Sequence, residues 1–142
     1  MGLLSIQQKR VVNMLNIEGF ITKVRDTIIN STSLKNVYSP DLPQEGEKIC
    51  CVTLLPGKTN NNLCNVNEYN TLMFRVLIRG TKDDIDTRPL VDEVFNALHL
   101  LKNLSFTGGI IINIFAPDTP IFVERGSNQR ILYNITFKTN VQ

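Results

Sequence analysis

Apolar residues recur at helical spacing in two parts of the chain. The first predicts a helix over 17–30 that begins after Asn16, a residue whose side chain suits an N-cap. The second predicts a helix that begins at Arg88, with Thr87 as its cap and an end near Leu101. The apolar stripes consist of Ile17, Phe20, Ile21, Val24 and Ile28 in the first helix and of Leu90, Val91, Val94, Phe95, Leu98 and Leu101 in the second.

Five runs carry the apolar content or the period-2 alternation of β-strands, and turn residues separate them. The run over 48–55 is apolar on both faces, which is typical of a strand inside a covered sheet. The run over 69–79 alternates, with one apolar face and one half-polar face. The remaining runs are 110–115, 121–124 and 130–138.

The order of these elements is α, β, β, α, β, β, β, which predicts an α+β fold. We expect a mostly antiparallel sheet of about five strands with both helices packed on one face. The predicted domain covers 17–142. Residues 1–16 form an N-terminal extension, whose untidy apolar stripe could still be helical.

Composition narrows the class of protein. With 142 residues, 42% hydrophobic and 20% charged, the chain is too apolar to be disordered and long enough for one buried core. Its 15 lysines and arginines against 13 acidic residues leave a net charge of +2, which argues against a strongly electrostatic nucleic-acid binder. The apolar runs fall short of the ~18 residues of a membrane span, so we expect a soluble, intracellular protein that contacts no membrane.

The cysteines and the histidine do not combine into a site. Cys50 and Cys51 are adjacent in a predicted strand, so their side chains point to opposite faces and are expected to act as small core residues. Cys64 lies in a polar loop, and His99 is expected at the surface of the second helix. These residues cannot supply the four ligands of a structural zinc site.

Two further motifs are incomplete. Residues 57–59, Gly-Lys-Thr, end like a phosphate-binding loop, but Val52 stands where that motif needs glycine. Asp83, Asp84 and Asp86 form an acidic cluster, for which a helix-capping, solvated turn is favoured over a metal-binding loop. We therefore predict no catalytic, cofactor-binding or metal-binding residues, and a protein that is not an enzyme.

The half-polar face of the strand over 69–79 is a candidate protein interface, because it is more apolar than contact with water favours. This face consists of Met73, Arg75, Leu77 and Arg79. Arg130 and Lys138 of the last strand could join its arginines in a basic stripe, and a solvated sheet face is the simpler interpretation of these charges. The long polar loop over 57–68 is a second candidate for contact with a partner.

Short turn motifs punctuate the chain in a set order. They are Tyr38-Ser39-Pro40, Leu42-Pro43 and Pro56-Gly57, followed by the strand over 74–80, the helix from Arg88 and a closing strand over 130–137. In this order they resemble the small minor capsid and tail terminator proteins of long-tailed, siphovirus-like phages. The resemblance covers about 17–139. It departs from the family at 44–47, where Gln-Glu-Gly-Glu replaces a Pro and Asp pattern, and at the added lead over 1–16.

The resemblance implies a structural subunit of a virion, without a cofactor. Such proteins form a hexameric ring on the head-proximal end of the tail tube, end tail polymerisation and contact the head connector or stopper protein. DNA passes through the lumen without specific binding, and assembly takes place in the cytoplasm of the bacterial host. On this basis Met73, Arg75, Leu77 and Arg79 form the subunit interface, and the loop contacts the tail tube through Lys58, Asn60, Asn61, Asn62 and Asn65.

Two other functions stay open. A head completion or connector protein has the same structural character and acts at a different place in the particle. A small nucleotide-binding or hydrolytic enzyme belongs to another class, and a nucleotide that raised the melting temperature would favour it.

Overall fold

The structure is a computed structural model that describes residues 16–56, 70–125 and 129–142. Two helices and seven strands follow one another in these residues. Neither of the two helices is long and apolar enough to cross a membrane. The elements are α1 (Ile17–Ser31), β1 (Val37–Tyr38), β2 (Ile49–Leu55), β3 (Asn70–Arg79), α2 (Asp84–Leu98), β4 (Leu101–Phe106), β5 (Gly109–Phe115), β6 (Ile121–Arg125) and β7 (Ile131–Val141).

β7 is the long central strand of the sheet. One edge of β7 pairs antiparallel with all of β3, from Asn70 opposite Val141 to Arg79 opposite Leu132. The other edge is divided, because β5 pairs with its C-terminal half and β6 with its N-terminal half. The sheet therefore runs β2-β3-β7-β5-β4 through one half and β1-β2-β3-β7-β6 through the other, and the β1–β2 pair is parallel.

Both helices pack on the same face of this sheet and enclose the core. Its centre is aromatic: Phe20 of α1 lies edge-on to Phe74 of β3, with 5.7 Å between ring centroids. Phe74 in turn stacks on Phe137 of β7 at 5.2 Å, and all three side chains are fully buried. Apolar burial of this kind is the main stabilising contribution to a small domain. The predicted α+β class and mostly antiparallel sheet are confirmed.

α1 begins at the predicted residue, and its first turn is fixed to the sheet. The Asn16 side chain accepts a hydrogen bond from the Gly19 amide and donates one to the Thr107 carbonyl, each at 3.0 Å. A Cβ at Gly19 would collide with that carbonyl oxygen, so the close approach of helix and turn requires glycine. The N-cap therefore joins α1 to the turn between β4 and β5.

α2 begins about one turn before its predicted start. Asp83 is the N-cap, and its carboxylate accepts a hydrogen bond from an amide of the first turn at 3.1 Å. Thr87, the predicted cap, lies inside the helix, fully buried, where its hydroxyl accepts a hydrogen bond from the Thr81 amide at 3.1 Å. Its side chain fills the space beside Gly80, where a Cβ would collide with it. The prediction that Thr87 is the N-cap was wrong, because its hydroxyl forms a hydrogen bond with the loop before the helix.

The predicted strand count and order need correction. The described residues form seven strands in the order α, β, β, β, α, β, β, β, β, because β1 and β4 were not predicted. β1 has two residues, too few for alternation to be visible. β4 begins at Leu101, which continues the helical spacing of α2, but the helix ends at Leu98 and Leu100 adopts a positive φ of 67°.

Candidate assembly surface

The sheet face that points away from the helices is called here the outer face. Its residues on β3 and β7 alternate with core residues, and all except the exposed Lys138 are half-buried. Across the two strands the opposed pairs are Met73 with Lys138, Arg75 with Thr136, Leu77 with Asn134 and Arg79 with Leu132. The four residues predicted as an interface thus lie together on this face, at the centre of the sheet.

One end of the outer face is covered by the segment over 39–48, which connects β1 to β2. Arg79 donates a hydrogen bond to the Pro43 carbonyl at 2.7 Å. Arg130 forms an ion pair with Glu47 at 3.3 Å. Two of the four cations of the predicted basic stripe are therefore engaged within the chain.

The middle of the outer face contains buried polar atoms that make no hydrogen bond with the described residues. These atoms include Arg75 Nε and Asn134 Oδ1, and Arg130 Nη1 is a third example at the covered end. The Asn134 amide nitrogen does donate to the Thr136 hydroxyl at 3.3 Å, so half of that amide is used. A buried polar atom without a partner costs about 1–3 kcal/mol. The burial of these polar atoms therefore lowers the stability of the isolated chain.

The opposite end of the outer face satisfies its own polar groups. Thr71 donates a hydrogen bond to Asn140 Oδ1 at 3.0 Å, and Asn140 Nδ2 donates to Asn113 Oδ1 at 3.0 Å. These side chains belong to β3, β7 and β5 and link the three strands. The contrast with the middle of the face shows that the sheet can satisfy such groups where the sequence supplies complementary neighbours.

The two sides of the molecule differ in charge. The outer face carries the cationic side chains of Arg75 and Lys138 at its centre. The exposed side of α2, across the sheet, is acidic, with Arg88 as its one basic residue. Its acidic residues, including the cap, are Asp83, Asp84, Asp86, Asp92 and Glu93. Each chain therefore presents a basic and an acidic surface in opposite directions.

Cys50 and Cys51 are confirmed as buried side chains of β2. Burial, reinforced by the neighbouring Cys51 thiol, raises the pKa of Cys50 to about 12. Burial also raises the pKa of Cys51. Because the thiolate is the nucleophilic and metal-binding form, neither thiol is suited to that chemistry at neutral pH.

His99 and the acidic cluster take part in the packing of α2. His99 is half-buried rather than a surface side chain, stacks on Phe95 at 4.7 Å between ring centroids and accepts a hydrogen bond from the Ala116 amide at 3.0 Å. Asp84 accepts a hydrogen bond from the Tyr133 hydroxyl at 2.9 Å. Within the described ranges, no cluster of three or more metal-ligating side chains occurs.

Two predictions concern residues that the structure does not describe. The proposed tail-tube contacts, Lys58, Asn60, Asn61, Asn62 and Asn65, lie outside the described residues. The same holds for Cys64 and for the Gly-Lys-Thr sequence over 57–59.

The sequence analysis missed one surface, the strand β6. All five of its residues are exposed, although three of them are large and apolar. Its consecutive apolar residues are typical of a buried strand, so periodicity gave no sign of this exposure.

Comparison with known proteins identifies the fold. A chain of a structure solved as the virion of a native gene transfer agent (GTA) particle matches this chain with a TM-score of 0.67 and 12% sequence identity. The match covers 90% of this chain and 98% of that chain. No protein-family model and no curated protein matches the sequence. The likeness establishes a shared fold over nearly the full length of both chains.

Proposed function

We propose that this chain is a structural subunit of a phage-like virion and, more specifically, the tail terminator. In that role it caps the head-proximal end of the tail tube as a hexameric ring, ends polymerisation and joins the tail to the head connector. The fold shared with a chain of the gene transfer agent particle supports the virion role. The turn motifs of the sequence support the terminator role.

The observation that carries this proposal is the unsatisfied middle of the outer face. Arg75 and Asn134 hold buried polar atoms there that have no partner among the described residues, beside the half-buried apolar side chain of Leu77. A carboxylate of a neighbouring subunit would pair with the Arg75 guanidinium by a charge-assisted hydrogen bond. Burial of the apolar side chains in the same contact would add to its stability.

A ring requires two different surfaces that meet head to tail. The outer face, with Arg75 and Lys138, and the acidic side of α2, with Asp86 and Asp92, are opposite in charge and in direction. Their pairing is heterologous, so each subunit uses both surfaces once. Complementary charge also favours this pairing over contact between two identical faces.

Native mass spectrometry of the full chain, alone and with tail tubes, tests the ring. We expect a hexamer in at least one of these conditions, and monomers in both would contradict the proposal. Arg75→Glu should prevent assembly, and adding Asp92→Lys should restore part of it. Lys102→Glu, which reverses an exposed charge on β4, is the matched control and should assemble normally.

Electron micrographs of particles made without the protein test its place in the virion. Overlong tails are expected for a terminator, whereas free tails of normal length would instead identify a head completion protein.

Deletion of 60–65 should leave the fold intact and impair tube capping. Normal capping by that variant would exclude the loop as the tube contact.

A further inference from the structure

β6 is an edge strand without the usual protection. Ile121, Phe122 and Val123 keep 55%, 50% and 47% of their surfaces exposed. One edge of β6 pairs with β7, and no described strand pairs with the other. A bulge after Phe122 bends the strand but leaves these three side chains half-exposed. Natural proteins cover or charge such an edge, because a free apolar strand invites another chain to pair with it. β6 is therefore suited to strand addition.

A groove lies beside β6 on the helix side of the sheet. It has a volume of about 240 Å³, and its lining includes Arg88 and Val91 of α2, Pro120 just before β6 and Tyr133 of β7. Tyr133 lies opposite Phe122 in the sheet register, and the two rings meet edge-on with 5.8 Å between their centroids. Directly opposed residues point to the same side of a sheet, so Phe122 also points to the helix side. The open edge and the groove are therefore neighbours.

The dimensions of both features favour a peptide over other occupants. Small-molecule sites usually have volumes of about 300–1,000 Å³, so this groove is small for a cofactor and suits a single side chain. The exposed side chains of β6 offer on the order of 300 Å², whereas a stable protein–protein interface buries about 800 Å² per partner. β6 alone is thus too small to hold two folded domains together. An extended segment needs less apolar area, because main-chain hydrogen bonds add to its affinity.

The charges of the site are balanced. The groove lining contains one cation and one anion, Arg88 and Asp92, and β6 likewise contains Arg125 and Glu124. Arg88 forms an ion pair with Asp84, and Arg125 donates hydrogen bonds to two backbone carbonyls. The exposed side of α2 beyond the groove is acidic. An acidic segment is therefore disfavoured, and the balanced charges of the site itself require no basic one. These features select an apolar segment without negative charge.

A second copy of this chain fits the edge poorly. Antiparallel pairing of two β6 strands about a two-fold axis would continue the sheet and place both α2 helices on the same side of it. The exposed sides of these helices, each with Asp86, Asp92 and Glu93 against Arg88, would then lie on the same surface. Acidic surfaces brought together in this way repel each other. An extended segment of a different protein brings no such helix.

We infer that the open edge of β6 binds an extended segment of a different protein, which adds as a strand and inserts one long apolar side chain into the groove beside Tyr133. Side chains of a strand point alternately to its two faces, so every second residue of the segment faces Phe122 and the groove. The main-chain hydrogen bonds provide affinity, and the groove provides sequence selectivity. The inference concerns the single chain and requires no ring, so it stands apart from the terminator role.

A library of random seven-residue peptides displayed on yeast tests the site, with the full chain as the soluble probe. We expect the selected peptides to carry apolar residues at alternate positions. Phe122→Asp should weaken their binding at least about tenfold. Ile110→Asp, which alters an exposed apolar residue of β5, is the matched control and should bind normally. Selected peptides without this alternation, or undiminished binding by the Phe122 variant, would overturn the inference.

A second pair of variants tests the groove. Asp92→Phe places a large side chain at the groove lining and should also weaken the binding of the selected peptides at least about tenfold. Asp26→Phe makes the same change at an exposed position of α1 and should bind normally. Equal binding by the two variants would exclude the groove as the anchor site. Unchanged hydrogen exchange of the core amides of β3 shows that each variant remains folded.

N-methylated peptides distinguish strand addition from a purely apolar contact. The N–H groups of alternate residues in a strand point to the same edge, so methylation of one set blocks pairing with β6 and methylation of the other set does not. We expect the two methylated forms of a selected peptide to differ at least about tenfold in Kd, measured by isothermal titration calorimetry. Equal Kd values would contradict strand addition.

Sedimentation analysis of the chain alone tests the second copy as the occupant. We expect Phe122→Asp to leave the self-association of the chain unchanged. Self-association that this variant abolishes would assign the edge to a second copy and overturn the inference. The ring has its own test in Arg75→Glu, so the failure of either proposal is distinguishable from the failure of the other.

Discussion

β1 and β6 are the two outer strands of one half of the sheet, and their outer edges differ in exposure. Across this half, one residue from each strand lies in register with the next: Val37, Cys50, Ile78, Tyr133 and Phe122. At the β1 edge Val37 is 4% exposed, and its carbonyl accepts a hydrogen bond from Arg25 Nε at 3.1 Å. At the β6 edge Phe122 is 50% exposed. One edge is closed by the fold, and the other is open.

The difference shows how an edge strand is protected. The Asn36 carbonyl binds the Cys50 amide, so the next carbonyl, that of Val37, points outward and is used by α1. β1 is also short, and Pro40 just beyond it has no N–H to offer a further strand. β6 has only terminal charges and a bulge between Phe122 and Glu124. Of these two edges, β6 is therefore the one that the described residues leave open to strand addition.

Removal of the core that both edges share should have the largest effect. Phe74→Ala leaves a cavity between two aromatic rings at the centre of the sheet, and we expect a loss of about 4 kcal/mol of unfolding free energy. Phe122→Ala removes the same side chain from the open edge and should cost less than about 1 kcal/mol. Urea unfolding measures both. Equal costs would contradict the assignment of Phe74 to the core.

The same substitution at each edge sharpens the comparison. Val37→Thr buries a hydroxyl at the closed edge and should cost about 2 kcal/mol. Val123→Thr places the hydroxyl in water and should change the stability by no more than about 0.5 kcal/mol. Thermal and urea unfolding of the two variants provide the measurement. A larger cost at Val123 would mean that β6 is covered more tightly than β1.

Opening the closed edge should have a smaller effect. Arg25→Met keeps much of the side-chain volume but removes the donor to the Val37 carbonyl, and we expect a loss of about 1 kcal/mol. Lys23→Met, on the same helix, is the control and should be nearly neutral. Sedimentation analysis should also detect new self-association of the Arg25 variant. Unchanged stability and association would show that Arg25 does not protect this edge.

The last probe is alkaline pH, which has no effect near neutrality. The pKa of Cys50 is raised from 9.0 to about 12, so the folded chain holds this proton more tightly than the unfolded chain. Stability from this group is complete below pH 9 and is lost as the pH rises towards 12. Cys50→Ala should flatten the decline measured by urea unfolding. An identical decline in that variant would assign it to other groups.

Local sequence signals predicted part of the fold. The 3.6-residue spacing and the Asn16 cap located α1, because both depend on neighbours in sequence. The start of α2 was wrong because Asp83 and Thr87 both suit an N-cap, and the choice depends on the space beside Gly80. β4 was hidden because Leu101 continues a helical pattern after the helix has ended.

The sequence predicted which residues form the candidate surface, but not which of their polar groups have hydrogen-bond partners. Alternation placed Arg75 and Arg79 on one face of β3. Arg79 bonds the Pro43 carbonyl, while Arg75 Nε has no partner in the described ranges, and this difference depends on contacts between distant parts of the chain. The exposure of β6 was likewise invisible, since it depends on β4 pairing with β5 and not with β6 among the described strands.

The central position of β7 also has a consequence for synthesis. β3, β5 and β6 all pair with β7, yet β7 follows every other described element in the chain. At roughly 5–20 residues per second, a ribosome needs on the order of 3–10 seconds to pass from the end of β3 to β7. The outer face does not exist during that time. A polypeptide that ends before β7 lacks the strand with which β3, β5 and β6 all pair, so it cannot form the outer face.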